Sequence, residues 1–489
     1  MNIDIKLKSG KDKAYICLDD SITYDELKKG VSALADYLKT GVNMPVMIYG
    51  HKSSLMYISI LACISAKRTY IPCDVSMPDF RISQILKKSG ANKILSVENT
   101  NMHKAECIDK FELEKIISEY SGPILENISI DSEDDAYIIF TSGSTGEPKG
   151  VRISYSNIAN FLKWFISIPA VSEIKPKAVL NQAVFSFDLS VADIYYSVLS
   201  GAKLFALKNN VINDFKFLFF ELKESKAEMA VLTPSFAQLC LCDKSFNSDL
   251  MPELRLIFFC GEVLKPIIAK KLFERFKDIR ILNAYGPTEA TCAVCAVEIT
   301  QDMLNYSSLP VGNFCCCATE ISMVDEDGEI LPESETGQIL LSGKSVGNGY
   351  LKAESTQFFN NKNEKSYYTG DMGYIKNNML FYSSRKDEMI KYKGYRIEPG
   401  DVENNLCRIQ GVKQAAVIIS KRADGRLDSF SAYISCDNNI SIDMIKKLAG
   451  EYLPEYMIPK LIFLRNELPV NQNGKIDKNK LRGEIQNAR

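Results

Sequence analysis

Apolar and polar positions follow one another along the chain in two rhythms. Residues 254–260 read as a buried strand, broken by Gly261-Glu262. Leu264, Ile267, Ile268, Leu272, Phe273 and Phe276 then recur at helical spacing with lysines and Glu274 between them, and residues 280–284 return to strand. This strand–helix–strand order predicts a βαβ unit and hence a parallel sheet. Further strands are expected at 45–49, 93–97, 177–183 and 228–233. Past about residue 310 the rhythm shortens to Glu320–Val324, Gly337–Ser342 and 379–382. Asp325-Glu326-Asp327-Gly328 and Lys376-Asn377-Asn378 are the expected hairpin loops. After Arg385 a separate block has its own helix at 399–408 and strands at 414–419 and 429–434. The expected organisation is mixed α/β. A large domain of parallel sheets, with a β-rich subdomain, covers 1–384; a hinge follows at 385–388, and then a small mobile α+β domain at 389–489.

Chemistry enters where the apolar run Ala136-Tyr137-Ile138-Ile139-Phe140 opens into Thr141-Ser142-Gly143-Ser144-Thr145-Gly146-Glu147-Pro148-Lys149-Gly150. Glycines let backbone approach a ligand, hydroxyls donate, and Lys149 brings a charge suited to phosphate oxygens. The Gly-x4-Gly-Lys-Ser/Thr order of a Walker loop is absent. The segment resembles the phosphate loop of the adenylate-forming superfamily, which includes amino-acid adenylation enzymes, acyl-CoA synthetases and luciferases.

Composition narrows the alternatives. With 489 residues and a net charge of −2, there is no electrostatic case for nucleic acid or an anionic membrane as partner. The first residues lack the apolar segment of a signal peptide, and the longest apolar stretch, near 55–66, is too short to span a bilayer. A cytoplasmic location and no stable membrane insertion are expected. The 14 cysteines include Cys292 and Cys295 in a CxxC and the run Cys315-Cys316-Cys317. Adjacent residues on a strand point to opposite faces, so three in a row cannot close on one metal, and most of the thiols read as small buried hydrophobes. Two histidines leave little for Ser-His-Asp or Cys-His catalysis.

Further segments resemble the family in its order. In Asn283-Ala284-Tyr285-Gly286-Pro287-Thr288-Glu289 the resemblance implies that Tyr285 flanks adenine, Thr288 meets the α-phosphate and Glu289 helps to hold Mg2+ with the ATP. Tyr368-Thr369-Gly370-Asp371 is similar to the ribose segment, with Asp371 as anchor. Ser384-Arg385-Lys386-Asp387, with Lys391, Gly394, Tyr395 and Arg396, resembles the hinge and the loop behind it; the family usually has glycine where Ser384 stands. There Arg385 would touch ribose or phosphate, and the small domain would turn about Asp387. Asn473-Gly474-Lys475-Ile476-Asp477 resembles the catalytic-lysine segment, with Lys475 bridging the substrate carboxylate and the α-phosphate. Ile22-Thr23-Tyr24-Asp25-Glu26-Leu27, Tyr70-Ile71-Pro72-Cys73-Asp74 and Gly337-Gln338-Ile339 fit structural motifs of the family.

Phe185-Ser186-Phe187-Asp188-Leu189-Ser190 bears on the substrate. In the amino-acid-activating members an aspartate at this place receives the substrate ammonium, and a buried lone carboxylate is costly without such a cation. Asp188 as N-cap of the following helix is the structural alternative. The pocket segments, and the stand-alone length, are similar to those of members that activate D-alanine, so D-alanine is the first guess. The implied pocket is Asp188, Leu189, Ala192, Val231, Phe258, Cys260, Ala284 and Cys292. It departs from those members at Ala192, Val231, Phe258 and Cys292, where they have methionine, threonine, leucine and valine. A methylene of pocket volume discriminates by only ~1–3 kcal/mol, so another small or medium amino acid remains open.

The implied reaction has two halves. The amino-acid carboxylate attacks the ATP α-phosphate, and Lys475 and Mg2+ offset the charge as pyrophosphate leaves. The phosphopantetheine thiol of a carrier protein supplied in trans then takes the aminoacyl group, since no carrier motif lies in the chain. An acyl- or aryl-CoA ligase, a stand-alone adenylation enzyme of a natural-product pathway, and a nucleotide-binding regulator that senses an amino acid are the rival readings.

Overall fold

A computed structural model of the chain describes residues 3–40, 42–98, 105–143, 146–212, 214–314, 317–361, 363–386, 389–392, 394–421, 427–436, 440–469, 476–478 and 480–482. It divides into two units. One comprises Met1–Asp74, Ser89–Ile139 and Gly150–Lys386; the other comprises Val75–Lys88, Phe140–Lys149 and Asp387–Arg489.

The first unit is organised on an eight-stranded sheet. Its order is Cys295–Glu298, Arg280–Tyr285, Leu256–Phe259, Met229–Leu232, Ala178–Asn181, Lys203–Ala206, Lys13–Cys17, Asp20–Thr23. The inner pairs are parallel and the outermost pair at each end is antiparallel. Three of the inner strands are buried along their whole length, as strands covered on both faces must be. The expected βαβ unit is present as Leu256–Phe259, the helix Pro266–Arg275 and Arg280–Tyr285. A six-stranded sheet runs Lys149–Ser154, Asp135–Thr141, Tyr70–Cys73, Val46–Tyr49, Lys93–Ser96, Glu106–Ile108. An antiparallel sheet built from Gly312–Asn313, Met379–Arg385, Glu364–Lys376, Gly337–Ser342 and Glu320–Val324 is the expected β-rich part.

Local chemistry sets the element ends. Thr23 accepts from the Glu26 amide at 3.2 Å while the Glu26 carboxylate accepts from the Thr23 amide at 2.7 Å, a capping box that starts the helix Tyr24–Lys39. Asn377 and Asn378 both take positive φ, 52° and 59°, and close the hairpin between Glu364–Lys376 and Met379–Arg385. Asp325–Gly328 closes the expected hairpin, with Val324 and Ile330 paired in an antiparallel bridge across it, although the next strand begins only at Gly337.

Lys52 departs from what its charge suggests. It is fully buried, and its Nζ donates to the Gln182 and Leu207 carbonyls at 2.6 Å each. Those carbonyls follow Ala178–Asn181 and Lys203–Ala206, so one ammonium ties two strand ends together. Burial lowers its pKa and raises that of the buried Asp193 carboxyl, which accepts from the Asn181 amide at 2.7 Å.

In the second unit Val412–Lys421 pairs antiparallel with Leu427–Cys436, which pairs parallel with Leu461–Arg465. The helices Pro399–Leu406 and Ile442–Ala449 contribute Val402, Leu406 and Ile445 to the same core as Ala432 and Ile434. Arg81 and Asp401, both buried, form an ion pair. No helix among the described residues is long and apolar enough to cross a membrane.

Candidate active site

Strands of the eight-stranded sheet carry Val231, Phe258, Asn283, Ala284 and Tyr285 among the expected residues. Tyr285 ends its strand, and its hydroxyl donates to Asp371 Oδ2 at 2.8 Å. The Arg385 guanidinium pairs with the other oxygen of Asp371 at 2.5 Å and donates to the Thr369 carbonyl at 3.2 Å. Asp371 and Arg385 face each other across the antiparallel pair Glu364–Lys376 and Met379–Arg385. The expected adenine and ribose residues thus share one buried network. Burial, and then the Asp371 carboxylate, hold the Tyr285 phenol far above its usual pKa, so it remains a donor.

A second junction joins residues a hundred positions apart. Thr288 donates through Oγ1 to Asp188 Oδ2 at 2.6 Å. The hydroxyl expected at the α-phosphate therefore touches the carboxylate expected to receive the amine. The helix Ser190–Ser200 is preceded by Leu189 as its cap residue, with no side-chain cap bond. Glu289, next to Thr288, is fully buried, and its Oε1 accepts from the Tyr350 hydroxyl at 2.7 Å. A buried carboxylate beside a neutral hydroxyl is a hard oxygen donor of the type Mg2+ takes.

Leu189, Ala192, Val231, Phe258, Cys260, Ala284 and Cys292 all belong to one buried core cluster. The Phe258 ring meets Phe165 edge-on, with centroids 5.1 Å apart and planes at 75°, and Phe165 in turn meets Tyr196 at 5.7 Å. The aromatic side chain is braced from behind and fills the wall. Asn283, on the strand Arg280–Tyr285, is buried and donates to the Pro310 carbonyl at 2.7 Å.

The backbone at Thr291 and Cys292 is strained. Both have positive φ, 61° and 70°, which costs non-glycine residues on the order of 1–3 kcal/mol each. The Thr291 hydroxyl donates to the Ser345 carbonyl at 2.8 Å and helps to hold this shape. Gly286 makes room for it, because a Cβ there would stand 2.5 Å from Ala293 Cα and 2.8 Å from the Cys292 oxygen. The bend sends the CxxC thiols to different neighbours. Cys260 Sγ lies 3.7 Å from the Cys292 carbonyl, whereas Cys295 faces Cys317 across an antiparallel bridge. The Cys260 thiol and burial together push Cys292 well up, so Cys292 is not a ready nucleophile.

The loop groups with the second unit up to Lys149, and of its expected phosphate-binding residues Thr141, Ser142, Gly143, Gly146 and Lys149 are described. There Ser142 donates to the Arg396 carbonyl at 3.0 Å and accepts from the Glu398 amide at 3.2 Å. A Cβ on Gly143 would stand 2.2 Å from the Glu147 oxygen, so only glycine fits this turn. Ser144, Thr145, Asp387 and Lys475 lie outside the described residues.

Sequence reasoning did not find Tyr350, the Thr288–Asp188 bond, or the strained pair Thr291-Cys292. A buried tyrosine after Asn348-Gly349 carries no local signal of the carboxylate it serves.

Comparison with known proteins agrees with this geometry. The family described as AMP-binding enzyme matches residues 6–351. The chain is 38% identical to the D-alanine–D-alanyl carrier protein ligase of Bacillus cereus strain AH187, over 96% of either chain. It is likewise 38% identical to that of Bacillus licheniformis, over 96% of either chain. Among solved structures, the adenylation domain AlmE of Vibrio cholerae, in complex with glycyl-adenosine-5'-phosphate, superposes with a TM-score of 0.79. That likeness covers 97% of this chain and 95% of AlmE at 23% identity, which speaks for the fold. The o-succinylbenzoate CoA synthetase MenE of Bacillus subtilis gives 0.78 at 20% identity, over 97% and 96%. A family match over most of the chain, with full-length ligase relatives more than a third identical, shows that this protein belongs to the AMP-binding enzymes and is an AMP-forming ligase.

Proposed function

We propose that this ligase activates a small α-amino acid, D-alanine first, as aminoacyl-AMP. In the second half it passes the aminoacyl group to the phosphopantetheine thiol of a carrier protein supplied in trans, in the cytoplasm. The observation that carries the reading is the 2.6 Å bond between Thr288 Oγ1 and Asp188 Oδ2. In an α-amino acid one carbon separates the ammonium from the carboxylate. An ammonium held by Asp188 therefore brings the carboxylate to the phosphate held by Thr288. The buried Phe258 ring, braced by Phe165, is the bulky member of the implied pocket and supports a substrate with a small side chain. The names of the full-length relatives point to the same substrate and acceptor.

Each expected residue has a task in this reading. Tyr285 flanks adenine, and Asp371, oriented by Tyr285 and Arg385, accepts from the ribose hydroxyls. Thr141, Ser142, Gly143, Ser144, Thr145, Gly146 and Lys149 cradle the leaving phosphates. Glu289, oriented by Tyr350, would hold Mg2+, which supplies charge neutralisation on the phosphates. Lys475 stabilises the charge that develops as the carboxylate attacks, and the small domain turns about Asp387 between the half-reactions.

The test is ATP–pyrophosphate exchange with the purified protein across D- and L-alanine, glycine, β-alanine and a set of carboxylic acids without an amine. Exchange restricted to small α-amino acids is expected. Turnover of an acid lacking the amine, with silence for every amino acid, would overturn the role given to Asp188.

A further inference from the structure

The strand Asp135–Thr141 carries a tyrosine that no step described so far uses. Tyr137 is fully buried, and its hydroxyl has no hydrogen-bond partner among the described residues. Buried phenols nearly always find a partner, because leaving one unmet forfeits its bond to water. Its parallel-strand neighbour Tyr70 does so, sharing a 3.1 Å bond with the Tyr195 hydroxyl. The two rings pack at 5.7 Å, yet Tyr137 does not join that pair. Tyr195 lies on the helix Ser190–Ser200 that follows Asp188, and Tyr137 shares its core cluster with Leu189, Ala192, Cys260 and Cys292 of the implied pocket. Tyr137 thus packs in the same core as the pocket residues, with an unmet polar atom on which the charge of Asp188 acts.

We infer that the Tyr137 hydroxyl is a substrate-binding group that accepts a hydrogen bond from the ammonium of the amino acid and completes the receptor begun by Asp188. The inference rests on the amino-acid reading above. An ammonium has three N–H donors, and one carboxylate does not satisfy all of them. A neutral oxygen at the second position adds selectivity without adding charge. It also disfavours an acid that lacks the amine, since both Asp188 and Tyr137 then lose their partner.

The experiment is Tyr137→Phe, compared with the wild-type protein by ATP–pyrophosphate exchange and by thermal melting without substrates. The expected result is a rise in KM for the amino acid of about tenfold or more, as for a hydrogen bond to a charged group. The KM for ATP stays within about twofold. The preference for D-alanine over propionate falls by the same factor as the amino-acid KM rises. The melting temperature is unchanged or higher, because the variant removes a hydroxyl that the unliganded fold leaves unmet. An ordinary structural phenol would give the reverse pattern, with lost stability and an unchanged KM, and that would overturn the inference. Should the wild-type protein exchange with amino acids while Tyr137→Phe matches it, this inference fails alone. Should no amino acid support exchange in the wild type, the amino-acid reading fails and this inference with it.

Discussion

Removing the Arg385 guanidinium tests the buried network at Asp371. Their side chains are only 8% and 2% exposed, and the ion pair is 2.5 Å long. Arg385→Ala leaves the Asp371 carboxylate with the Tyr285 hydroxyl but without its cation. Breaking one side of a buried ion pair costs about 3–5 kcal/mol. The unit concerned holds roughly 360 residues, and an unfolding entropy of about 2.1 cal/mol/K per residue gives about 0.75 kcal/mol/K, so the melting temperature should fall by about 4–7 °C. Adding Asp371→Asn removes the orphaned charge and should recover at least about 1 kcal/mol relative to additivity. Thermal and urea melts of the wild type, both single variants and the double variant give the cycle, and the KM for ATP should rise in all three variants. A melting temperature of Arg385→Ala within 1 °C of wild type, or strict additivity in the double variant, would refute the reasoning.

Other expectations follow from the same geometry. Lys475→Ala should lose adenylation by about 10²–10³ or more, the loss typical of a single charge-stabilising donor, yet still transfer from preformed aminoacyl-adenylate; equal loss in both halves would remove the role given to this lysine. Phe258→Ala should lower stability by about 3–5 kcal/mol in denaturant melts and extend pyrophosphate exchange to valine or leucine. Burial pushes Cys63 and Cys240 up to about 12, above an unfolded value of about 8.5. Their stabilising share is therefore complete below about pH 8.5 and is lost as pH climbs toward the folded values, by up to about 1.4 kcal/mol per thiol per pH unit. Urea midpoints should fall between pH 8 and pH 10.5, and iodoacetamide at pH 8.5 should label the exposed Cys242 well before Cys63.

Alternation carried much of the fold. Glu320–Val324 and Gly337–Ser342 begin and end where the apolar pattern does, because side-chain direction alone decides burial on a sheet with one buried face. The buried parallel strands were less sharply bounded. Residues 177–183 shrink to Ala178–Asn181 and 228–233 to Met229–Leu232, because ladder pairing stops at those ends. Past residue 385, the strand expected at 414–419 lengthens to Val412–Lys421 because its partner Leu427–Cys436 extends the pairing.

At the site, Tyr285, Asp371 and Arg385 were legible as types of residue suited to a nucleotide, but their mutual bonds were not. The contact of Thr288 with Asp188 depends on sheet order, which local periodicity does not encode. Lys52 would be placed on the surface by charge alone; two carbonyl ends far apart in sequence bury it. Tyr137 was read as one residue of an apolar run, and only its unmet hydroxyl separates it from its neighbours.

The central claim is that an amino acid passes through this protein from ATP-driven activation to a thiol. The most direct measurement is the intact mass of a phosphopantetheinylated carrier protein after incubation with the enzyme, ATP, Mg2+ and D-alanine. The account predicts a gain of one alanyl residue that requires ATP and is reversed by hydroxylamine, as a thioester should be. An unchanged carrier mass with D-alanine and every other small amino acid, alongside formation of an acyl-CoA from a carboxylic acid lacking an amine, would contradict it.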